Sequence, residues 1–362
     1  MNKLYGFGSN GNGQLGIGHL EDINKPQPCI GIPTNEKIKK IVGGGNHSIV
    51  LTKSGKVYIT GSSQLGSQQQ KIWEKEQQKN TTTATTTSLI NQNEYTFPWT
   101  IYQERWSQHI WQDVFGVGSS KFGELGSIMK EDQLELKRIA PDILKDIQSV
   151  ACGWRHSVAL DRHGNVYGWG WGKHGQLGPL DNIVNSIYIG DDNDKGKKSI
   201  TKPTYIVPPF KICLPEKIAQ IACGHLHTLF LNHQRNKIYG CGSNKYGQVD
   251  TSAPLTGVCK IATGWHSSLI LTTKGELYMW GRGDHSQLQH GLKEIKNIVA
   301  GSEHILATLC NGEIFAWGWN EHGNCTTEKD DVSTPESIKI LDIEDDQNKN
   351  FIIGAGCGTS FI

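Results

Sequence analysis

The chain has 362 residues, and its 36 Lys and Arg residues nearly balance its 35 Asp and Glu residues, leaving a formal net charge of +1. A neutral balance gives no global electrostatic argument for binding nucleic acid or an acidic membrane. No apolar run approaches the ~20 residues of a membrane-spanning helix, and the opening "MNKLYGFGSN" lacks the apolar segment of a secretory signal. The nine cysteines form no C-x-x-C pair, which is typical of reduced thiols. We therefore expect an intracellular protein of the cytoplasm, with the nucleus as a second compartment.

One phrase recurs along the chain: an apolar residue, an aromatic residue, two spacers and a glycine, usually followed by Gln-Leu-Gly. Its first copy is "LYGFGSNGNGQLG", beginning at Leu4. The glycines of the seven copies are Gly8, Gly61, Gly118, Gly170, Gly242, Gly281 and Gly318. Repetition at this spacing indicates one supersecondary unit per copy.

A second phrase precedes most copies of the first: a glycine, two variable residues, His, and then Ser or Thr. Clear copies begin at Gly44, Gly153 and Gly224, and weaker ones begin at Gly264, Gly301 and Gly356. Between the two phrases lie β-rich runs joined by tight turns, as in "IVLTKSGKVYI". The turn dipeptides are Ser54-Gly55, His163-Gly164, Lys274-Gly275 and Asn311-Gly312, with Arg235-Asn236 as an asparagine version. Glycine or asparagine suits the positive φ of such hairpins.

Short strands with evenly spaced glycine and aromatic motifs predict an all-β fold, and seven units predict a seven-bladed β-propeller. Residues 1–362 would form this single propeller. The last stretch, "FIIGAGCGTSFI", supplies what the unit at "LYGFGS" lacks. We expect the N- and C-terminal strands to pair in one blade, because that removes two exposed sheet edges. Two insertions are expected: a low-complexity, mobile one at 67–90, rich in Gln, Thr and Asn, and a second loop at 181–202.

Three motifs suggest chemistry but are better explained by the repeat. Gly6-x-Gly8-x-x-Gly11 matches a dinucleotide fingerprint, yet no helix is predicted after it to hold a pyrophosphate. Four histidines share one repeat position, and we interpret them as turn residues bonded to local backbone rather than as metal ligands: His47, His156, His227 and His304. No Ser-His-Asp arrangement can be argued. The sequence therefore predicts no enzyme, no metal site and no cofactor.

The variable residues of the Gly-x-x-His turns are the candidates for function. Successive turns of an antiparallel meander alternate between its two ends, so these turns should share one face with the stretches around "SNKYGQ". The candidate partner-binding residues on that face are Trp154, Arg155, His225, Trp265, His266 and Glu303. Trp and Arg are enriched at binding hot spots. The alternative is that both tryptophans pack inward between blades, as we expect for Trp169, Trp280 and Trp317.

The repeats resemble those of the regulator of chromosome condensation family over nearly the whole chain outside residues 67–111 and the insertions. The resemblance implies a propeller that serves as a binding platform. The opening "YGFGSNGNGQLGIGHLEDINKPQP" is similar to the start of the alpha-tubulin suppressor, or killer-toxin-insensitivity, type of yeast propeller. That similarity implies a non-catalytic heterodimer partner of a small zinc-binding protein of diphthamide synthesis. It also implies support of Elongator-dependent modification of the tRNA wobble uridine, with the Elongator complex as a further partner. Zinc would belong to the partner, and no direct contact with nucleic acid or membrane is expected.

Two other family hypotheses remain open. A guanine-nucleotide exchange factor for a Ran-type small GTPase would resemble this chain in its blades. Such factors add a basic N-terminal tail, whereas the first strand is expected here by residue 4. A plant-type ultraviolet photoreceptor would need several Gly-Trp-Arg-His-Thr turns. This chain has one near copy at 153–157 and a broken copy, "GWHSS", at 264.

Overall fold

The computed structural model describes residues 3–61, 99–102, 114–127, 133–179, 205–251, 256–289, 292–328, 330–340 and 351–362. Both predicted insertions, at 67–90 and 181–202, lie outside these ranges. None of the described residues is helical, and every strand pairing among them is antiparallel, which confirms the all-β prediction. In this part of the chain there is accordingly no helix that could cross a membrane.

The strands are short and follow one another at the spacing of the repeats. In chain order they are β1 (Tyr5–Gly8), β2 (Ile23–Pro28), β3 (Ile38–Gly43), β4 (His47–Thr52), β5 (Val57–Gly61), β6 (Trp99–Tyr102), β7 (Val114–Gly118), β8 (Gln133–Arg138), β9 (Ile147–Cys152), β10 (His156–Asp161), β11 (Val166–Trp171), β12 (Ile206–Ile212), β13 (Ile218–Cys223), β14 (His227–Asn232), β15 (Ile238–Gly242), β16 (Val258–Thr263), β17 (Ser267–Thr272), β18 (Leu277–Gly281), β19 (Ile295–Ala300), β20 (His304–Leu309), β21 (Ile314–Gly318), β22 (Val332–Ser337), β23 (Gly354–Ala355) and β24 (Thr359–Phe361).

The described strands form seven sheets, in the orders β2-β1-β24-β23, β3-β4-β5, β6-β7-β8, β9-β10-β11-β12, β13-β14-β15, β16-β17-β18 and β19-β20-β21-β22. All but the first of these sheets are meanders of consecutive strands. The number of blades stays a prediction, since parts of the chain lie outside the described ranges. In the five meanders that contain a copy of the Gly-x-x-His phrase, this turn leads into the second strand and the tight hairpin joins the second strand to the third; the described part of β6-β7-β8 has no such turn.

The first sheet joins the two ends of the chain, as predicted. Strand β1 pairs antiparallel with β24, with Gly6 opposite Phe361 and Phe7 opposite Ser360. The backbones of Tyr5 and Ile362 exchange hydrogen bonds of 2.9 and 3.0 Å. The Phe7 and Phe361 side chains are buried. The ends of the propeller are therefore closed by main-chain pairing and by core packing together.

The hairpin prediction holds at four turns and is wrong in detail at the fifth. Gly55, Gly164, Gly275 and Gly312 have φ of 86°, 77°, 75° and 89°. In the fifth hairpin the positive φ, 57°, falls on Arg235 and not on Asn236. The reason is one extra residue in this turn. The Asn232 side-chain oxygen accepts the amides of both Asn236 and Lys237, at 3.0 Å each, and holds the longer turn together.

The strand tryptophans pack in the core, as predicted, and link each sheet to the preceding one. Trp169 and Trp317 are fully buried, and Trp280 is half-buried. Their indole N–H groups donate to the carbonyls of Glu124 (2.7 Å), Gln287 (3.0 Å) and Gln248 (3.1 Å), respectively. These acceptors lie in the loops that follow β7, β18 and β15, respectively, each in the preceding sheet. A buried indole N–H needs such a partner, and here the need fixes the spacing of neighbouring sheets.

Candidate partner-binding face

The Gly-x-x-His turns lie side by side on one face, joined by backbone hydrogen bonds. Within each turn the glycine amide donates to the carbonyl of the fourth residue, at 2.8 to 3.0 Å, in the turns beginning at Gly44, Gly153, Gly224, Gly264, Gly301 and Gly356. Between turns the amide of Trp154 donates to the His225 carbonyl at 3.2 Å, and the amide of His225 to the Trp265 carbonyl at 3.0 Å. The series continues from Trp265 to Ser302 at 2.7 Å. We call this surface, formed by the six turns and the loops beside them, the turn face.

A glycine begins each turn because there is no room for a side chain. A Cβ on Gly153 would lie 2.5 Å from the Gly224 carbonyl oxygen and would collide with the His156 ring. Gly301 is enclosed in the same way by the Gly356 carbonyl, at 2.5 Å, and by the His304 ring. The glycine therefore permits both the contact between neighbouring turns and the inward position of the histidine.

The turn histidines are structural, but the prediction that they bond to local backbone is wrong. His156 Nε2 lies 3.0 Å from the Thr228 hydroxyl, and His227 Nε2 lies 3.1 Å from the Ser268 hydroxyl. Each hydroxyl belongs to the next sheet. Thr228 and Ser268 in turn donate to the carbonyls of Gln176 and Gln248, both at 2.7 Å. A hydroxyl has a single proton, and Thr228 and Ser268 already donate theirs to these carbonyls. Each histidine Nε2 must therefore carry a proton and donate it to the hydroxyl.

Burial keeps these histidines neutral. It lowers the pKa of His156 to about 3 and the pKa values of His227 and His304 to about 4, against an ordinary value of 6.5. Neighbouring imidazoles add to the effect at His156 and His227. They act as neutral hydrogen-bond donors between sheets and are not available as surface ligands. Within the described ranges, moreover, no group of three or more His, Cys, Asp or Glu side chains could hold a metal ion.

The first two candidate residues belong to a row of stacked planar groups. The Arg155 guanidinium lies between two rings, with Cζ 3.6 Å from the Phe122 ring centroid and 3.5 Å from that of Trp154. The opposite side of Trp154 stacks on His225, with ring centroids 4.5 Å apart and planes inclined by 21°. Trp171 meets Trp154 edge-on at 6.2 Å. Cation–π contacts of this kind are stronger when partly desolvated, and the row is half-buried.

The row continues to the second tryptophan. The His225 ring lies 5.2 Å from Trp265 and 5.4 Å from His266. Trp265 is 40% exposed, so inward packing between blades is wrong for this residue. Trp154 is half-buried within the row, which lies on the turn face and not in the core between sheets. Burial, together with the nearby His266 and Arg155, lowers the pKa of His225 to about 4.

Glu303 anchors the far end of the candidate set. Its Oε1 lies 2.6 Å from His266 Nδ1 and 3.8 Å from the Arg282 guanidinium, and its Oε2 accepts from Gln287 Nε2 at 2.7 Å. The carboxylate is buried, with its side chain 7% exposed. Buried charge is tolerated when it is paired and fully hydrogen-bonded, as Glu303 is. Its role is to orient His266, whose ring faces Tyr246 at 5.4 Å.

The structure thus places all six sequence-predicted residues in one continuous series of contacts. It also adds residues that sequence reasoning missed as candidates: Phe122, Trp171, Tyr246 and Arg282. A signal for two of them exists in the repeat. Phe122, His174 and Tyr246 occupy the same position in "SKFG", "GKHG" and "NKYG". An aromatic ring at one repeat position in three successive units predicts a row, once the units are known to lie side by side.

Fold and face together define a class: a propeller of repeated antiparallel sheets with a built surface of stacked aromatic and cationic groups at one end. The chain belongs to the RCC1-like domain family, whose model matches residues 3–362. Members are generally regulatory or binding proteins rather than catalysts of bond-making chemistry, although some act as guanine-nucleotide exchange factors.

Relatives match this chain along almost its entire length. An RCC1 repeat-containing protein of Schizosaccharomyces pombe is 26% identical over 377 residues, covering 99% of this chain and 98% of the relative. The mouse secretion-regulating guanine nucleotide exchange factor is 25% identical over 406 residues, covering 99% and 82%. The solved structure of Saccharomyces cerevisiae Prp20p has a TM-score of 0.74 at 19% identity, covering 99% of this chain and 90% of that one. This last likeness shows the fold alone.

Proposed function

We propose that this chain is a non-catalytic protein-binding propeller and that its turn face docks the partner. The observation that carries the proposal is the continuous row from Arg155 through Trp154 and His225 to Trp265. Tryptophan and arginine are the residues most enriched at interface hot spots, and Trp265 is an exposed, rigid anchor at the end of a pre-arranged row. Pre-arrangement lowers the entropy that binding must overcome. The backbone bonds between turns and the Glu303–His266 contact supply it.

For the partner we propose the small zinc-binding protein of diphthamide synthesis, bound as a heterodimer that also supports Elongator-dependent modification of the tRNA wobble uridine. The support is the similarity of the opening residues, from Tyr5 to Pro28, to the yeast propellers of that type. Zinc stays with the partner in this proposal. The complex would act in the cytoplasm, with the nucleus as a second compartment.

A second candidate is a guanine-nucleotide exchange factor for a Ran-type small GTPase. The specific observation in its favour is the full-length similarity to the mouse secretion-regulating guanine nucleotide exchange factor. In addition, Prp20p, which shares the fold, has been characterised for binding to Gsp1p and histones. The two candidates differ in the partner that they require.

The decisive experiment is affinity purification of the tagged chain from its host, with identification of the co-purifying chains by mass spectrometry. A small zinc-binding protein supports the first candidate, and a small GTPase supports the second. Release of labelled GDP from a Ran-type GTPase, measured with and without the purified chain, separates the two directly. Unchanged release with a captured zinc protein is the expected result; accelerated release would overturn the first candidate.

The face is tested with a matched pair of exposed aromatic residues. Trp265 is 40% exposed on the turn face, and Tyr278 is 45% exposed in β18. We expect Trp265→Ala to weaken binding of the captured partner by about 30- to 1000-fold, which corresponds to about 2 to 4 kcal/mol, and Tyr278→Ala to leave it unchanged. Titration calorimetry measures both, and circular dichroism confirms that both variants fold. Equal affinity of Trp265→Ala and wild type would rule out this face.

A further inference from the structure

The lysines of the turn face are distributed by sector. In the loop after the strand that ends at the repeat glycine, one repeat position carries Lys121, Lys173 and Lys245 in three copies of the repeat, and Asp284 and Glu321 in the next two. The three lysines are exposed. Among the described residues none of them forms an ion pair. We call Lys121, Arg155, Lys173 and Lys245 the cationic sector. Each of its lysines directly precedes an aromatic residue of this face in the chain: Phe122, His174 and Tyr246.

Three carboxylates on the other side of the face are paired with neighbours, whereas Glu321 is exposed and forms no ion pair with any residue that the structure describes. Glu303 is held by His266, Arg282 and Gln287. Asp284 forms an ion pair with Arg282, and Asp331 lies 2.8 Å from His285 Nδ1. The turn face therefore combines three exposed lysines without ion pairs in one sector with mostly paired carboxylates in the other. Its net attraction is for an acidic ligand at the cationic sector.

Arg155 is the one member of this sector that is fixed in place. Phe122 and Trp154 cover the two faces of its guanidinium, at 3.6 and 3.5 Å. Its side chain makes no hydrogen bond or ion pair with any residue that the structure describes. Burial lowers the pKa of Arg155, and the buried Glu124 carboxylate opposes this by electrostatic attraction. Glu124 Oε2 accepts the Phe122 amide at 2.7 Å. The N–H groups along the edge of the guanidinium are thus left for a ligand.

The stacking also decides which acidic macromolecule fits. A nucleic-acid base needs a free ring face, and Trp154 has one side covered by Arg155 and the other by His225. A carboxylate needs only the edge of the guanidinium, which it can engage through two parallel hydrogen bonds. At Arg155 and Trp154 the geometry favours carboxylates of a protein over bases of a nucleic acid.

We propose that the cationic sector binds an acidic segment of the protein partner, with one carboxylate received edge-on by Arg155 and others attracted by Lys121, Lys173 and Lys245. This inference rests on the proposed function, because it names the chemistry of the partner that the turn face docks. The lysines act over several ångströms through solvent and set the salt dependence of binding, whereas Arg155 contributes a geometrically defined contact.

The test uses a fluorescein-labelled hexaglutamate peptide titrated with the purified full chain at low salt, followed by fluorescence anisotropy. Hexaglutamine and single-stranded oligouridylate are the comparison probes. We expect Arg155→Met to weaken hexaglutamate binding about 10-fold or more, the loss typical of a charge-assisted hydrogen-bonded pair. The matched control is Arg162→Met, which removes the same charge from a hairpin where Arg162 pairs with Asp146 at 2.8 Å. That control should bind as wild type does.

A second variant keeps the test informative if the Arg155→Met protein does not fold. Because Lys121, Lys173 and Lys245 are exposed, changing all three to Gln should leave the melting temperature unaltered. This triple variant should bind hexaglutamate more weakly and should lose most of the salt dependence. Unchanged binding by the triple variant overturns the inference, whatever happens at Arg155.

The remaining outcomes separate this inference from the proposed function. Oligouridylate binding as tight as hexaglutamate binding would overturn the choice of a protein ligand. Capture of a partner that depends on Trp265, with hexaglutamate binding insensitive to Arg155 and to the lysines, would uphold the proposed function and overturn the acidic segment. Hexaglutamate binding that requires Arg155, without any captured partner, would uphold the acidic site and count against the proposed function.

Discussion

His304 Nε2 lies 3.1 Å from the Ser360 hydroxyl, although the two residues are 56 positions apart in the chain. Ser360 donates onward to the Asn324 carbonyl at 2.6 Å. Because Ser360 stands in β24, which pairs with β1, this bond ties the closing sheet of the propeller to the sheet before it. The same arrangement links His156 to Thr228 and His227 to Ser268. This hydrogen bond therefore recurs between neighbouring sheets, and the His304–Ser360 copy is the one that involves the closing sheet.

The first prediction concerns this bond. We expect His304→Ala to lower the free energy of unfolding by about 1 to 3 kcal/mol, since a buried hydrogen bond and the packing of a buried ring are lost together. Urea unfolding followed by circular dichroism measures the change. His233→Ala, an exposed histidine in a hairpin turn, is the control and should change the value by less than about 0.5 kcal/mol. Equal stability of the two variants would mean that the bond does not hold the closure.

The second prediction concerns pH. In the folded chain the pKa of His156 is about 3 and those of His227 and His304 are about 4, all below the ordinary value of 6.5. The unfolded chain therefore takes up protons first as pH falls. The stabilisation from keeping these rings neutral is fully present above about pH 6.5 and is lost progressively as pH falls toward about 4.

Comparison of wild type with His304→Gln isolates this effect from the titration of carboxylates. We expect the difference in unfolding free energy between about pH 7 and about pH 5 to be smaller for His304→Gln than for wild type. Urea titrations at both pH values provide the measurement. Identical pH dependence in the two proteins would show that His304 does not titrate between folded and unfolded states.

The third prediction concerns the pairing of the chain ends. Phe361 is 1% exposed and belongs to the same core cluster as Leu4, Leu15 and Ile41. We expect Phe361→Ala to lower stability by about 3 to 5 kcal/mol and to promote association, because loosening β24 exposes an edge of β1. Thermal melting and light scattering are the measurements. Leu20→Ala, at a side chain 51% exposed, should behave as wild type. A Phe361→Ala protein with the same melting temperature as Leu20→Ala would contradict closure through this strand.

The fourth prediction concerns the glycine that begins each turn. A Cβ at Gly153 would lie 2.5 Å from the Gly224 carbonyl oxygen, whereas a Cβ at Gly11 would meet nothing within 4 Å. We expect Gly153→Ala to cost about 1 to 3 kcal/mol and to alter tryptophan fluorescence, since Trp154 follows directly. Gly11→Ala should change neither. A fluorescence spectrum unaffected by Gly153→Ala would show that the stacked row does not depend on the spacing of the turns.

Much of the fold followed from local patterns in the sequence. The recurring phrases predicted strands, hairpins and the pairing of the two ends, because strand periodicity and turn φ values depend on residues near one another in the chain. The glycines of four hairpins and the buried positions of Trp169 and Trp317 are examples. The six candidate residues were found by a related argument: the repeat does not require them, and its geometry puts them at one end of the meanders.

The tertiary structure decided what these residues touch. His156 bonds to Thr228 rather than to its own turn, and Arg155 lies between Phe122 and Trp154. Both contacts depend on how adjacent sheets are spaced and tilted. Neighbouring residues in the chain do not encode that spacing; it results from packing between residues far apart in the chain, such as His156 and Thr228, which are 72 positions apart. Sequence determined which side chains reach the turn face, and packing between sheets determined that they form a single stacked row with the edge of Arg155 left open.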